Sequence, residues 1–332
     1  MSWVTLNDMR TWLVAGALAF ALIALFAPRI DLTRDAYDVL AVIDITTSMN
    51  TRDEASGAET VSRLRAAKTA LREMLAKLPC GSHLGLGFFT ERRTFLLFDP
   101  IEVCENFAAI DEAIAQLDWR MAWEGDSYVS RGLYSAIEVA KSLDADLIFI
   151  TDGHELPPLP FSGLPPFDGK PGDVGGLIVG IGSRTPTPLL KYDEEGREIG
   201  TYAAQEVPQE NRSGAPPPDA STRPGYHPKW APFGNAVVDN SEHMAVVREA
   251  YLKQLASVTG LSYAYFGQRE DLLEPLVAAA HARPLKVASD IRALPGSLAL
   301  ILLVFLYGLG AVAAGRALIR SSLNLPPPKG AK

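Results

Sequence analysis

Two aspartates each close a run of apolar residues, and small polar residues follow both at once. Asp44 ends DVLAVID and is trailed by Thr46, Thr47 and Ser48; Asp152 ends ADLIFITD and is trailed by Gly153, His154 and Glu155. A third segment, WEGDSYVSRGL (123–133), offers Asp126 and Ser127 just ahead of a helical pattern. Carboxylates and hydroxyls are the donors a hard cation such as Mg²⁺ accepts, near-octahedrally. No His or Cys is spaced for zinc or copper. The ordinary alternative is helix capping, since Asp, Ser and Thr accept backbone N–H bonds at helix starts. Capping accounts for one such loop and leaves the other two without a reason.

The elements around these residues decide whether they meet. DVLAVID (38–44) reads as a buried strand, followed by an amphipathic helix over 62–78 with Leu64, Ala67, Leu71, Met74, Leu75 and Leu78 on one face. Pro79 ends it. A hairpin over 85–99 turns at Glu91-Arg92-Arg93, and a short helix follows near 106–117. The pattern then gives a helix over 130–143, a buried strand over 145–152 and a glycine-flanked strand over 175–182. EHMAVVREAYLKQLASVTG is helical, 261–267 is a strand, and REDLLEPLVAAAHA is a last helix. Continuous apolar strands separated by helices predict an α/β fold. Its doubly wound, mostly parallel sheet carries one antiparallel edge strand and is covered on both faces. Ligands bind at the carboxyl ends of such strands. The three loops therefore bring Asp44, Thr46, Ser48, Ser127 and Asp152 to one end of the sheet. The segment 183–240 breaks the rhythm. PTPLLKYDEEGREIGTY reads as a hairpin turning at 193–196, and the proline-rich stretch beyond it as an extended surface insertion. Tyr226, Trp230 and Phe233 leave an ordered docking loop open as the other reading.

The chain has 332 residues, 48% of them hydrophobic, with a net charge of −8. An acidic chain without a basic, aromatic-studded patch is not built for nucleic acid. Its ends are uncharged and apolar over 11–27 and 295–315, lengths that suit bilayer spans. A cleaved signal peptide is the other reading of the first segment, but the run exceeds a usual h-region and lacks a small-x-small cleavage site. After the second come Arg316, Arg320, Lys329 and Lys332, which belong on the cytoplasmic side of a membrane. The expected organisation is thus a flank at 1–10, a transmembrane helix at 11–28, a domain at 36–283 with its insertion at 183–240, a transmembrane helix at 294–315, and a basic cytoplasmic tail at 316–332. Both termini would be cytoplasmic and the domain would face a periplasm. Cys80 and Cys104 fall at the open end of the hairpin, where a disulfide fits. Two buried free thiols are the other reading; the expectation is that they are bonded.

Asp44-Ile45-Thr46-Thr47-Ser48 resembles the D-x-S-x-S signature of von Willebrand factor A domains, their metal-ion-dependent adhesion site. Ser127 sits where that family usually has threonine, and Asp152 matches its T-D-G motif. The resemblance covers about 38–267. It departs at Thr46 and Ser127, which exchange serine and threonine and keep the hydroxyl. It implies a Mg²⁺ site (Ca²⁺ and Mn²⁺ being the alternatives) that takes a partner protein's Asp or Glu as its last ligand. With one such domain between two spans, and with GLGFFTERRT, LDWRMAWEGDS and FITDGHE, the chain also resembles the MxaL-type proteins of bacterial methanol oxidation clusters. In layout it is similar to the aerotolerance proteins that accompany MoxR-type AAA+ ATPases. Those likenesses imply methanol dehydrogenase, sister membrane proteins of the same domain type, or such an ATPase as partners.

An enzyme reading would join Ser48 or Ser127 to His154 and Asp152 as a hydrolytic triad. No G-x-S-x-G elbow is present, and no catalytic residue is expected. Asp126, His154 and Glu155 are expected instead as an exposed rim around the metal, where a partner docks.

Overall fold

The computed structural model describes residues 9–26, 29–56, 59–122, 125–160, 163–209, 215–216, 218–234, 241–268 and 271–322. Its main elements are α1 (Met9–Phe26), β1 (Asp38–Asp44), α2 (Arg63–Lys77), β2 (His83–Thr90), β3 (Arg93–Glu102), α3 (Phe107–Gln116) and α4 (Val129–Ser142). They continue with β4 (Asp146–Thr151), β5 (Gly176–Gly180), α5 (Glu249–Thr259), β6 (Ser262–Tyr265), α6 (Leu273–Ala279) and α7 (Ala293–Ser322). Residues 1–8 of the flank expected at 1–10, the first two residues of the segment 123–133, and the part of the basic tail expected at 316–332 that follows Ser322 lie outside the described residues.

Residues 35–284 make up one compact unit. Its six-stranded sheet runs in the order β6-β5-β4-β1-β2-β3. All neighbours are parallel except β2 and β3, the hairpin that puts an antiparallel strand at one edge. β1 lies at the centre, and alternation of its side chains divides the core in two. Val39, Ala41 and Ile43 join the apolar stripe of α2 (Leu64, Ala67, Leu71, Met74) and Ile110 and Ile114 of α3. Leu40 and Val42 face the other way, among Leu133, Ala136 and Ala140 of α4 and Leu252 and Leu255 of α5. Gly132 lets α4 come down onto β2: a Cβ there would lie 2.1 Å from the Phe89 ring. That close seat fixes the loop leading into α4, which carries Ser127. Cys80 and Cys104 are bonded across the open end of the hairpin, with Cα atoms 5.3 Å apart.

The insertion is more tightly built than an extended surface excursion. Thr187–Pro188 pairs with Met244–Ala245, and Leu190–Tyr192 pairs with Glu198–Thr201 as a hairpin. The Asp193 carboxylate closes its turn by accepting from the Arg197 backbone N–H at 2.7 Å. Tyr192 packs on Trp119 with ring centroids 4.7 Å apart, and Leu189, Val207, Ala220 and Phe233 are buried. Apolar residues at irregular spacing hold this segment down, which is why periodicity did not reveal it. Trp230, by contrast, is exposed.

The chain ends, 1–34 and 285–332, form the other unit, in which α1 and α7 pack on each other. These are the two segments expected to span a membrane. Among the described residues, no helix is long and apolar enough to cross one. At 18 residues, α1 falls short of the roughly 20 apolar residues a bilayer core takes.

Candidate metal centre

Asp44 ends β1 fully buried, and both of its oxygens are held by neighbours. Oδ1 accepts from the Thr46 backbone N–H at 2.9 Å and from the Thr46 hydroxyl at 2.7 Å. Oδ2 accepts from the Thr151 hydroxyl at 2.6 Å, which ties the end of β1 to the end of β4. One residue beyond Thr151, Asp152 is equally buried. Its Oδ1 accepts from the His154 backbone N–H at 2.9 Å, across Gly153, whose φ of +76° suits glycine. Burial, and then the charge of Asp152, pushes the Asp44 carboxyl up to about 7, against the lowering effect of its bonds from Thr151 and Thr46.

The loop carrying Ser127 is clamped on both sides. Ser127 exchanges backbone hydrogen bonds with Leu156 at 2.6 and 2.8 Å, and Tyr128 N–H donates to the Glu91 carbonyl at 2.6 Å. Ser127 is thereby brought beside the segment that follows Asp152. Thr46, Ser48, Asp126, Ser127 and His154 all line one cleft of about 230 Å³. The Ser48 and Ser127 hydroxyls are buried there without a hydrogen-bond partner among the described residues. Buried hydroxyls are nearly always bonded, so these two are donors in waiting. Unsatisfied hydroxyls on the cleft, with the buried carboxylates of Asp44 and Asp152 at the same sheet edge, fit a hard cation, which would supply the missing contact and relieve the repulsion between Asp44 and Asp152. Among the described residues, the one His/Cys/Asp/Glu trio close enough to hold a metal is Cys80, Glu102 and Cys104. Its two sulfurs are bonded to each other, so it offers no site.

Two of the three expected rim residues are not on the rim. His154 is 1% exposed and Glu155 7% exposed. Glu155 turns inward because it fastens two helices: its Oε1 accepts from Ser130 N–H at 2.8 Å, in the first turn of α4, and from the Tyr251 hydroxyl of α5. Burial raises its carboxyl above the usual range against those bonds. His154 lines the cleft but is buried in its wall, and burial pushes its imidazole down to about 4. Asp126 alone keeps the expected place, half-exposed at the cleft. The triad does not assemble either. Neither ring nitrogen of His154 bonds Ser48 or Ser127, and Asp152 meets the backbone of His154 instead of its ring.

One residue of the site escaped sequence reasoning. Arg63, the first residue of α2, is fully buried and donates from Nη1 to Asp152 Oδ2 at 2.6 Å. Its Nε reaches Asp53 Oδ1 at 2.9 Å, so one guanidinium bridges two carboxylates. Burial alone would lower its pKa; Asp53 and Asp152 overcome that and hold it above its usual range. The signal was present, because Arg63 stands in line with Ala67, Ala70 and Met74 on the buried stripe of α2. A cation on an apolar stripe asks for a buried partner.

Residues 39–154 match the family model described as the von Willebrand factor type A domain. This segment is a von Willebrand factor type A (VWA) domain. The match begins in β1 and ends two residues past Asp152, so it contains Asp44, Thr46, Ser48, Arg63, Ser127 and Asp152. No curated protein matches the sequence. Among solved structures, an aerotolerance-related membrane protein from Bacteroides fragilis is similar at 13% identity and a TM-score of 0.43. That likeness covers 73% of this chain and 99% of that one. A von Willebrand factor type A protein from Catenulispora acidiphila is 18% identical with a TM-score of 0.31, over 46% of this chain and 37% of that one. An uncharacterized membrane-spanning protein from Vibrio fischeri is 16% identical with a TM-score of 0.28, over 72% and 95%.

Proposed function

We propose that the VWA domain holds a divalent cation, Mg²⁺ before Ca²⁺ or Mn²⁺, on Asp44, Thr46, Ser48, Ser127 and Asp152, and uses it to grip a partner protein. The observation that carries this reading is the pair of buried hydroxyls on Ser48 and Ser127, unpartnered among the described residues, in the cleft that Thr46 shares while its own hydroxyl bonds Asp44. The cation, when bound, supplies a Lewis-acidic position for an Asp or Glu from outside. Thr46 fixes Asp44, the Leu156 and Glu91 backbones fix Ser127, and Arg63 fixes Asp152, so the donors are held before any metal arrives. A metal that merely stabilised a subunit of a MoxR- or aerotolerance-type complex would be sealed in; the cleft that reaches Thr46, Ser48 and Ser127 favours contact instead.

The setting we propose is a bacterial inner membrane, with both termini cytoplasmic and the VWA domain periplasmic. Apolar side chains exposed along both terminal helices, such as Leu25 at 66% and Val304 at 63%, support a lipid bilayer around them. The sequence likeness to MxaL-type proteins supports assembly or metal loading of periplasmic methanol dehydrogenase as the task. Capture of methanol dehydrogenase by the full-length chain in detergent tests this. Capture is expected in Mg²⁺, and is lost in EDTA and in Asp44→Ala. Equal capture in all three would refute the metal-dependent contact.

A further inference from the structure

Resting on the carboxylate-gripping reading above, we propose that the cleft selects an acidic side chain flanked by bulky apolar ones, in an extended partner segment. The chain's own insertion sets that preference. The floor of the cleft is polar: Thr46, Ser48 and Ser127. Its wall is not. Leu189, Tyr202 and Val207 come from the insertion and line the same cleft. At about 30 Å³ for each water-sized group, a carboxylate and a hydrated cation fill roughly half of the 230 Å³. The remaining space borders on apolar atoms, where a Leu-sized neighbour of the acid gains burial and a glycine does not.

The wall is built in advance. Leu189 N–H donates to the His243 carbonyl at 3.0 Å, Tyr202 N–H to the Leu189 carbonyl at 3.0 Å, and Leu189 and Val207 are themselves buried. A preformed wall spares the ordering cost that a loose loop would impose on binding. Charge narrows the occupant further. Asp126 and Glu206 line the same cleft; Glu206 is paired with Lys191, whereas no salt bridge engages Asp126 among the described residues. A second acid beside the first would meet Asp126 at close range. The occupant is therefore a lone acid among apolar residues, not an acidic run.

Three labelled peptides, acetyl-Leu-Glu-Leu, acetyl-Gly-Glu-Gly and acetyl-Leu-Gln-Leu, test this by fluorescence anisotropy on the full chain in detergent. In Mg²⁺ the Leu-Glu-Leu probe should bind about tenfold or more tighter than Gly-Glu-Gly, from burial of its apolar side chains. Leu-Gln-Leu should not bind, and EDTA should abolish binding of both Glu probes. Tyr202→Ser with Val207→Thr should bring Leu-Glu-Leu down to the Gly-Glu-Gly level while leaving Gly-Glu-Gly and Mg²⁺ affinity unchanged. Equal binding of the two Glu probes to the unaltered chain overturns the apolar preference and leaves the carboxylate reading standing. So does a discrimination that survives the double substitution. Binding of Leu-Gln-Leu as tight as Leu-Glu-Leu, or no binding of either Glu probe, overturns both.

Discussion

Arg63→Met removes the guanidinium that bridges Asp152 and Asp53 and leaves their carboxylates where they are. The side chains of Arg63 and Asp152 are fully buried and that of Asp53 is 5% exposed, so water does not replace what is lost. Breaking a buried pair by deleting one partner costs about 3–5 kcal/mol. An independent bound comes from the escape route. A buried aspartate stripped of its countercharge takes up a proton, which for an ordinary carboxylate costs about 4 kcal/mol at pH 7 and about 1.5 kcal/mol at pH 5. Arg63→Met should therefore lose about 4 kcal/mol at pH 7 and about half of that at pH 5. Arg63→Lys keeps the charge but not the planar fork that serves two carboxylates, so it should recover only part of the loss. Urea unfolding of each chain with EDTA present throughout measures both differences without interference from metal. A deficit below about 1 kcal/mol at pH 7, or one that does not change with pH, would refute the argument that Arg63 is an electrostatic clamp.

Two further outcomes follow from the titrating groups. With its folded pKa raised to about 7 by burial and Asp152, Asp44 holds a proton that the unfolded chain has released. The contribution of Asp44 to the stability of the metal-free protein should fall as pH rises from about 4 through 7, unopposed by His154 only above about pH 6.5, and saturating Mg²⁺ should remove the loss. Melting temperatures at pH 6 and 8, in EDTA and in Mg²⁺, check this, with Asp44→Asn expected to flatten the EDTA profile. His154 runs the other way: its folded pKa, pushed down to about 4 by burial, leaves it neutral where the unfolded chain's imidazole is charged. Stability should fall as pH drops from about 6.5 to 4, and His154→Gln should abolish that slope in a background that already carries Asp44→Asn.

How far the sequence could be followed depends on what kind of information each feature needs. The order of β1, α2, the hairpin, α4 and β4 follows from local periodicity, as does the antiparallel edge strand β3. Asp44, Thr46 and Ser48 could be grouped because they share one loop at a strand end. The carboxyl ends of parallel strands lie at one sheet edge, which added Asp152 and the Ser127 loop to the group. Burial of His154 and Glu155 could not be read this way. It depends on Tyr251, some hundred residues away in sequence, and on an insertion that closes over the loop after β4. The insertion's wall was equally hidden: Leu189, Tyr202 and Val207 follow no period, and long-range pairing such as that of 187–188 with 244–245 brings the segment to the cleft. Long-range contacts that reuse no regular element leave little trace in a single sequence.

Arg63 also bears on how strongly the proposed cation would attract a partner. Asp152 gives Oδ2 to the guanidinium and Oδ1 to the His154 backbone, so its charge is already shared before a metal binds. Asp44, by contrast, meets only neutral donors among the described residues, from Thr46 and Thr151. A cation in the cleft then faces one carboxylate whose charge is its own and another largely offset by Arg63. That leaves it with more positive charge than two free aspartates would. Such a cation is held less firmly and pulls harder on an outside Asp or Glu. Removing the arginine should reverse the balance. Arg63→Met is expected to bind Mg²⁺ more tightly than the unaltered chain, while the Leu-Glu-Leu probe binds the Mg²⁺-loaded variant more weakly. Calorimetric titration with Mg²⁺ and anisotropy at saturating Mg²⁺ read the two sides separately. If both affinities fall together, Arg63 serves the geometry of Asp152 and not the charge at the cation.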